Sequence, residues 1–405
     1  MNGNIKKWLI LLLCCLPWSN GARIMGQGQT IADHLNDSLK QVFAPDGRTA
    51  IWKITCTTLG RQVTLEGTTT SRQGRQELVH ALQRQDLLVT DSIRLLPEDN
   101  GLGEETWGIV KNSVCNLRSG ADYAEENVTQ GLMGMPVRII QRDKWLQVQL
   151  PDEYLGWVEP VAIQRVSKQE LEAWNAAPKV VVTALYGMVF AEPDEQSHMV
   201  SDVVAGNRLK LLGKHGKFFH VGYADGREGY LPKDMGQELE QWRAGLDNSV
   251  EGILKTAWRL HGIPYLWAGT SAKGVDCSGF VRTTLYMHDI IIPRDASQQC
   301  LKGQRIETTD DYKYLQAGDL LFFGRRNPET GRERVSHVGF YLGGKRFIHS
   351  IGRVHENSLD PNDPLYDESN TRRLLFAGRV IPYINKESGL NTTDQNPFYQ
   401  TSLNF

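Results

Sequence analysis

Asp276-Cys277-Ser278-Gly279-Phe280 is the stretch from which the rest of this chain is best understood. It follows a glycine-containing loop, Gly269 to Gly274, and it opens a pattern in which Phe280, Val281, Thr284 and Leu285 share one helical face. Cys277 is therefore expected in the first turn of a helix. Free amides and the positive end of the helix dipole favour a thiolate there and lower the thiol pKa. A cysteine is most often a small buried hydrophobe. The flanking Asp, Ser and Gly are poor core residues and favour a reactive role instead.

Downstream, Asp319 to Phe323 and Ser336 to Leu342 read as successive buried strands, and Gly343-Gly344 turns the chain into Arg346 to Ser350. A nucleophilic cysteine needs a base within hydrogen-bond reach, and the base needs a third polar group to fix its ring. His337 and His349 supply both on one hairpin, provided the turn has the right parity. A two-residue turn would put the two rings on opposite faces, whereas a three-residue loop, Gly343-Gly344-Lys345, sets His349 opposite Gly339 and lets them meet. The odd loop is expected, with a glycine or Lys345 at positive φ. The same three side chains as a metal site would lack the close paired spacing of structural zinc ligands and a fourth ligand.

Working outward, the chain reads as a multidomain α+β protein. Residues 1–22 pair Lys6-Lys7 with an apolar run, Trp8 to Leu16, and then Ser19 to Ala22, the layout of a signal peptide too short to span a bilayer. An exported protein of the periplasm or cell envelope follows. There is no membrane span, and a lipid anchor at Cys14 or Cys15 stays open. Residues 28–104 form a small N-terminal α/β domain, with strands near Ala50 to Thr58 and Arg61 to Thr68, a helix capped by Ser71 and a last strand near Leu87 to Leu96. Residues 105–166 and 179–240 repeat one theme of short β runs ending on Gly156-Trp157 and Gly229-Tyr230, each expected as a small SH3-like barrel. Trp145 and Trp157 belong to the first barrel's core. A linker helix at 167–178 separates the two. The domain carrying Cys277 spans 241–385, with a first helix capped by Asn248, and 386–405 is expected as a flexible polar tail.

Composition narrows the function classes. Lys plus Arg number 45 against 47 Asp plus Glu, for a formal net charge of -2, and 40% of residues are hydrophobic. Nothing in that balance points to nucleic acid. Beyond Cys14 and Cys15, four cysteines remain, Cys56, Cys115, Cys277 and Cys300, too few for a disulfide scaffold.

Residues 250 to 382 resemble the NlpC/p60 family of papain-like cysteine peptidases. The resemblance is carried by Pro264-Tyr265-Leu266-Trp267-Ala268-Gly269, Asp276-Cys277-Ser278-Gly279-Phe280, Pro293-Arg294, Gly318-Asp319-Leu320 and His337-Val338-Gly339. It implies Cys277 as nucleophile, His337 as base, His349 as its orienting partner and Tyr265 as a donor to the oxyanion, with no metal or cofactor. The whole layout is similar to γ-D-glutamyl-L-diamino-acid endopeptidases of the dipeptidyl-peptidase VI type, which cut peptidoglycan stem peptides freed as muropeptides. In those enzymes the first barrel walls off one end of the cleft so that only a free N-terminal L-Ala fits. The matching positions here are Glu126 and Tyr154, with Asp276, Ser278 and Ser297 as further substrate contacts; Glu126 and Asp276 would neutralise the α-ammonium. The family often has Gly-Gly where this chain has Ala268-Gly269, a change the loop should tolerate. A broad wall endopeptidase acting on intact murein would need that end open. A non-catalytic wall-binding SH3-like protein would have no need of the catalytic side chains.

Overall fold

The computed structural model describes residues 30–98, 101–308 and 311–402. The expected signal peptide lies outside the described residues. The chain divides into two compact units, Met1–Leu102 and Gly103–Phe405. Among the described residues no helix is long and apolar enough to cross a membrane.

The first unit has a helix, Ile31–Phe43, started by Thr30, which caps it through a reciprocal capping box with Asp33. Strands Trp52–Leu59 and Gln62–Thr69 pair antiparallel, and Leu88–Leu95 adds in parallel after the helix Arg72–Gln83. Ser71 caps that helix through Gly74 N. Leu39, Trp52, Val63, Leu65, Leu78 and Leu82 fill the core between helices and sheet.

The second unit begins with two seven-stranded sheets of similar design, one from Trp107 to Val166 and one from Lys179 to Glu238. Helix Lys168–Ala176, capped by Ser167 with Glu170, runs between them and buries Leu171 and Trp174. Trp145 is buried in the first sheet, and Trp157 is half-buried.

From Val250 onward a helix (Val250–Arg259) and a second helix (Cys277–Tyr286) pack on a six-stranded antiparallel sheet. The sheet order is 304–306, 374–379, 320–326, 333–343, 346–351, 353–358. Ile253, Phe280, Leu285, Phe322, Val338, Phe340 and Ile348 form the core between them. The first of these helices is capped one residue later than expected: Ser249 accepts from Gly252 N, while Asn248 Oδ1 lies 3.0 Å from His288 Nδ1.

Three parts of this unit are stapled together by polar contacts. Gln130 of the first barrel accepts from Thr270 N at 2.8 Å, Lys273 reaches Asp202 of the second barrel at 2.6 Å, and Asn207 donates to Ser113 O. The expected flexible tail is a further correction. Leu390 is fully buried in the core beside the helices, Asn391–Thr392 pairs with Ile290–Ile291, and Phe398 packs edge-on against Trp107 of the first barrel at 5.7 Å. Its polar composition suggested fraying. Thr393 and Asn396 instead bond to Asp289 and Pro151, far along the chain.

Candidate active site

Cys277 is the first residue of its helix. Asp276 is the N-cap, accepting from Gly279 N at 2.7 Å. Gly279 is required where it stands, because an added Cβ would fall 1.9 Å from the Gly269 carbonyl oxygen. The helix start is thereby pressed onto the preceding loop, and the loop's Ala268 N donates to Asp276 Oδ2. Ala268 itself sits at φ 62 and is buried. The position is thus a left-handed one that favours glycine, and the alanine occupies it at a cost.

His337 and His349 come together as the hairpin parity required. Gly339 pairs with His349, and His337 Nε2 lies 2.7 Å from His349 Nδ1. The odd residue is supplied differently from the expected three-residue loop. Gly343 pairs with Arg346 around Gly344 and Lys345, both at positive φ, and a bulge between Tyr341 and Gly343 shifts the register by one.

A fourth member was not foreseen. His349 Nε2 lies 2.7 Å from Asn357 Oδ1, and Asn357 Nδ2 donates to Leu365 O at 3.1 Å. That second bond fixes the amide, so its oxygen faces the ring and His349 carries its proton on Nε2. His349 Nδ1 then accepts from His337 Nε2–H. The remaining nitrogen of His337, Nδ1, is left with a free lone pair. The signal for Asn357 in the sequence was only its position on the next strand, where His349 pairs with His355.

The electrostatics correct one expectation. Helix-end stabilisation was expected to lower the Cys277 thiol, but burial, joined by the neighbouring Asp276 carboxylate, pushes it up to about 12. The Val338 N–H and Arg294 act in the opposite direction and are outweighed. Burial also pulls His337 down to about 3 and His349 to about 4. Burial thus favours the neutral thiol and neutral imidazoles in the resting site. Cys277 is half-buried rather than sealed. The Val338 N–H directed at the sulfur places the His337 strand beside it.

Tyr265 is half-buried on the loop before Cys277, its N–H bonded to Gly352 O. Burial, with Cys277 and Asp276 nearby, pushes its hydroxyl up to about 12, so it keeps a proton to donate.

Asp276 does not stand free to meet a substrate cation. Arg294, almost wholly buried, binds both its oxygens at 2.5 and 3.2 Å, and Arg294 also donates to Ser278 Oγ at 2.9 Å. The carboxylate expected to face an ammonium is thus neutralised internally. Tyr154, buried in the first barrel, donates its hydroxyl to Asp295 Oδ2 at 3.1 Å, across to the peptide segment that follows Arg294. Glu126 is exposed just before strand Asn127–Leu132, and Ser297 is half-buried in the short helix Ala296–Gln299. Among the described residues no three His, Cys, Asp or Glu side chains are grouped to hold a metal ion.

Comparison with known proteins fits this architecture. The NlpC/P60 family model matches residues 262–371, and the bacterial dipeptidyl-peptidase SH3 domain model matches residues 117–163. Dipeptidyl-peptidase 6 of Lysinibacillus sphaericus is 31% identical over 289 residues, covering 67% of this chain and 99% of that protein. The γ-D-glutamyl-L-lysine dipeptidyl-peptidase of Bacillus cereus is 29% identical over 283 residues, covering 67% of this chain and 82% of that protein. A crystal structure of an NlpC/P60 family protein from Bacillus cereus shares the fold, with a TM-score of 0.57 at 24% identity over 68% of this chain and all of that one. Fold and relatives together define a cysteine peptidase built with SH3-like modules. The chain belongs to the NlpC/P60 family.

Proposed function

We propose that this protein hydrolyses the bond between γ-D-Glu and the diamino acid of peptidoglycan stem peptides, taking peptides with a free N-terminal L-Ala. The observation that carries the reading is the Tyr154 hydroxyl on Asp295, 3.1 Å away, which brings the first barrel against the segment beside Arg294, Asp276 and Cys277. An end closed in this way admits a short amine terminus and excludes a glycan-linked one. Asp276 is held by Arg294 and Asp295 by Tyr154 and its own helix cap, so the exposed Glu126 is the carboxylate that would receive the ammonium, which would be costly to desolvate unpaired. The Bacillus cereus relative is a γ-D-glutamyl-L-lysine dipeptidyl-peptidase, which supports the same bond class. Substrates of this kind call for an exported enzyme, and residues 1–22 would direct it.

In this reading Cys277 Sγ adds to the γ-carbonyl carbon while its proton passes to His337 Nδ1. The oxyanion takes a hydrogen bond from the Tyr265 hydroxyl. The C–N bond then breaks, the amine leaves with the proton from His337, and a thioester remains on Cys277. Water attacks the thioester as His337 takes its proton. L-Ala-γ-D-Glu leaves and the thiol is restored. His349 and Asn357 hold the ring of His337 throughout.

Mass spectrometry of products from L-Ala-γ-D-Glu-diaminopimelate and its N-acetylated form tests this. The free-amine peptide should be cut between Glu and the diamino acid, and the acetylated form should be cut at least a hundredfold more slowly. Equal rates would replace the closed-end reading with a wall endopeptidase. A Cys277→Ala enzyme that still turned over would remove the mechanism.

A further inference from the structure

One short segment touches every part of the second unit. Leu390 is anchored in the peptidase core, and Asn391–Thr392 extends strand Ile290–Ile291. The Thr393 hydroxyl donates to Asp289 Oδ1 at 2.6 Å and accepts from Arg208 and Arg243. Asn396, buried, donates from Nδ2 to the Pro151 carbonyl at 2.9 Å. Phe398 sits in a core with Trp107, Ile109, Val166, Leu171 and Trp174, and Asn175 donates to the carbonyls of Phe398 and Gln400.

The Pro151 contact is the informative one. Pro151 belongs to a tight turn in which Leu150 N bonds Tyr154 O and Glu153 N bonds Leu150 O, with Glu153 at φ 67. The turn's Asp152 carboxylate is fully buried and lies 2.8 Å from Arg282 Nε, an ion pair whose angle falls outside hydrogen-bond geometry. Arg282 is on the Cys277 helix. The turn that ends in Tyr154 is therefore held by Arg282 from the peptidase side and by Asn396 from the C-terminal segment. A tight turn bearing a left-handed non-glycine residue stays in place only when its surroundings hold it.

We propose that residues 390–399 form a specificity strap, which fixes the Leu150–Tyr154 turn so that Tyr154 stays on Asp295 and the amine end of the cleft remains closed. This rests on the free-amine reading above. Asn396 and Phe398 are positioning residues: neither belongs to the set around Cys277, and they act through Tyr154.

The test uses the full chain with Asn396→Leu, which removes the donor to Pro151 at similar volume, with Phe398→Ala, and with Phe398→Leu as the conservative control. With the free-amine tripeptide, Asn396→Leu and Phe398→Ala should raise KM at least tenfold while kcat stays within threefold. The kcat/KM ratio of acetylated to free peptide should climb at least tenfold, and Phe398→Leu should recover most of the wild-type ratio. Hydrogen exchange of the amides at 150–156 should speed at least tenfold, with those of 277–286 and 337–349 unchanged. Unchanged exchange at 150–156 in both variants overturns the strap, as does an equal speeding of all three regions, which would mean simple destabilisation. If wild type itself fails to distinguish the two peptides, the closed-end function falls. The exchange result then still decides whether the strap holds the turn.

Discussion

Nδ1 of His349 lies 2.7 Å from Nε2 of His337, and the proton between them can sit in only one arrangement. Asn357 Oδ1 takes the proton on the other side of His349, so His349 accepts from His337 and His337 Nδ1 is free to act as a base. A chain of two rings and an amide thereby selects a tautomer with no carboxylate hydrogen-bonded in it.

Asn357→Leu should lower kcat at least tenfold, because His349 loses the acceptor that fixes its proton and His337 can then adopt the unproductive tautomer. Asn357→Asp keeps an acceptor in the same place and should retain most activity. Steady-state kinetics on the free-amine tripeptide measure both. Equal activity of the Leu variant and wild type removes Asn357 from the relay.

Burial of neutral His337 and His349 sets the acid side of the stability curve. Their folded pKa values, about 3 and about 4, lie below the unfolded value of roughly 6.5. Below that unfolded value the denatured chain binds protons the native chain refuses, so stability falls as pH drops. Between about pH 6.5 and 4 each histidine should cost about 1.4 kcal/mol per pH unit. Urea unfolding at pH 7 and pH 5 should show this slope, and His349→Gln should flatten it.

Arg294 and Asp276 form a buried pair in which each partner is needed by the other. Arg294→Met leaves Asp276 charged and buried at the nucleophile's cap and should cost about 3–5 kcal/mol. Adding Asp276→Leu should recover part of that loss. Thermal or urea unfolding of the single and double variants provides the comparison, and strict additivity of the two changes would contradict the pairing.

Ala268 occupies left-handed backbone at φ 62 in the loop before Cys277. Ala268→Gly should stabilise the fold by about 0.5–1 kcal/mol, the steric relief exceeding the added chain entropy of glycine. A loss of stability in urea unfolding would show that the methyl group's packing outweighs the strain.

Local pattern carried much of this molecule. The helix after Asp276 was legible because a capping residue, a glycine and one apolar face coincide within a few positions. The pairing of His349 with Gly339 was legible from strand parity, although a bulge at Leu342 stood in for a longer loop. Asn357, Arg294's neutralisation of Asp276 and the docking of 390–399 were not legible. The docking of 390–399 depends on partners far along the chain, such as Asn396 with Pro151, and Asn357 and Arg294 depend on how neighbouring elements fold together; no periodicity records which group a polar side chain will meet. The thiol pKa was misjudged for the same reason. A helix end is visible in sequence, but the depth at which the sulfur sits is set by strands that arrive later.

The relay described above ends on a side-chain amide and a main-chain carbonyl, both uncharged. When the thiol proton moves to His337, the counter-charge is the Cys277 thiolate itself, and neither His349 nor Asn357 adds a negative charge to hold the cation. Burial favours the neutral forms of both groups, so the ion pair is expected to form as the substrate carbonyl closes in, with a protonated sulfhydryl between turnovers. Small electrophiles such as iodoacetamide should find that sulfur sluggish, so the peptidase is shielded from stray chemistry by the same neutrality that makes it wait for its substrate.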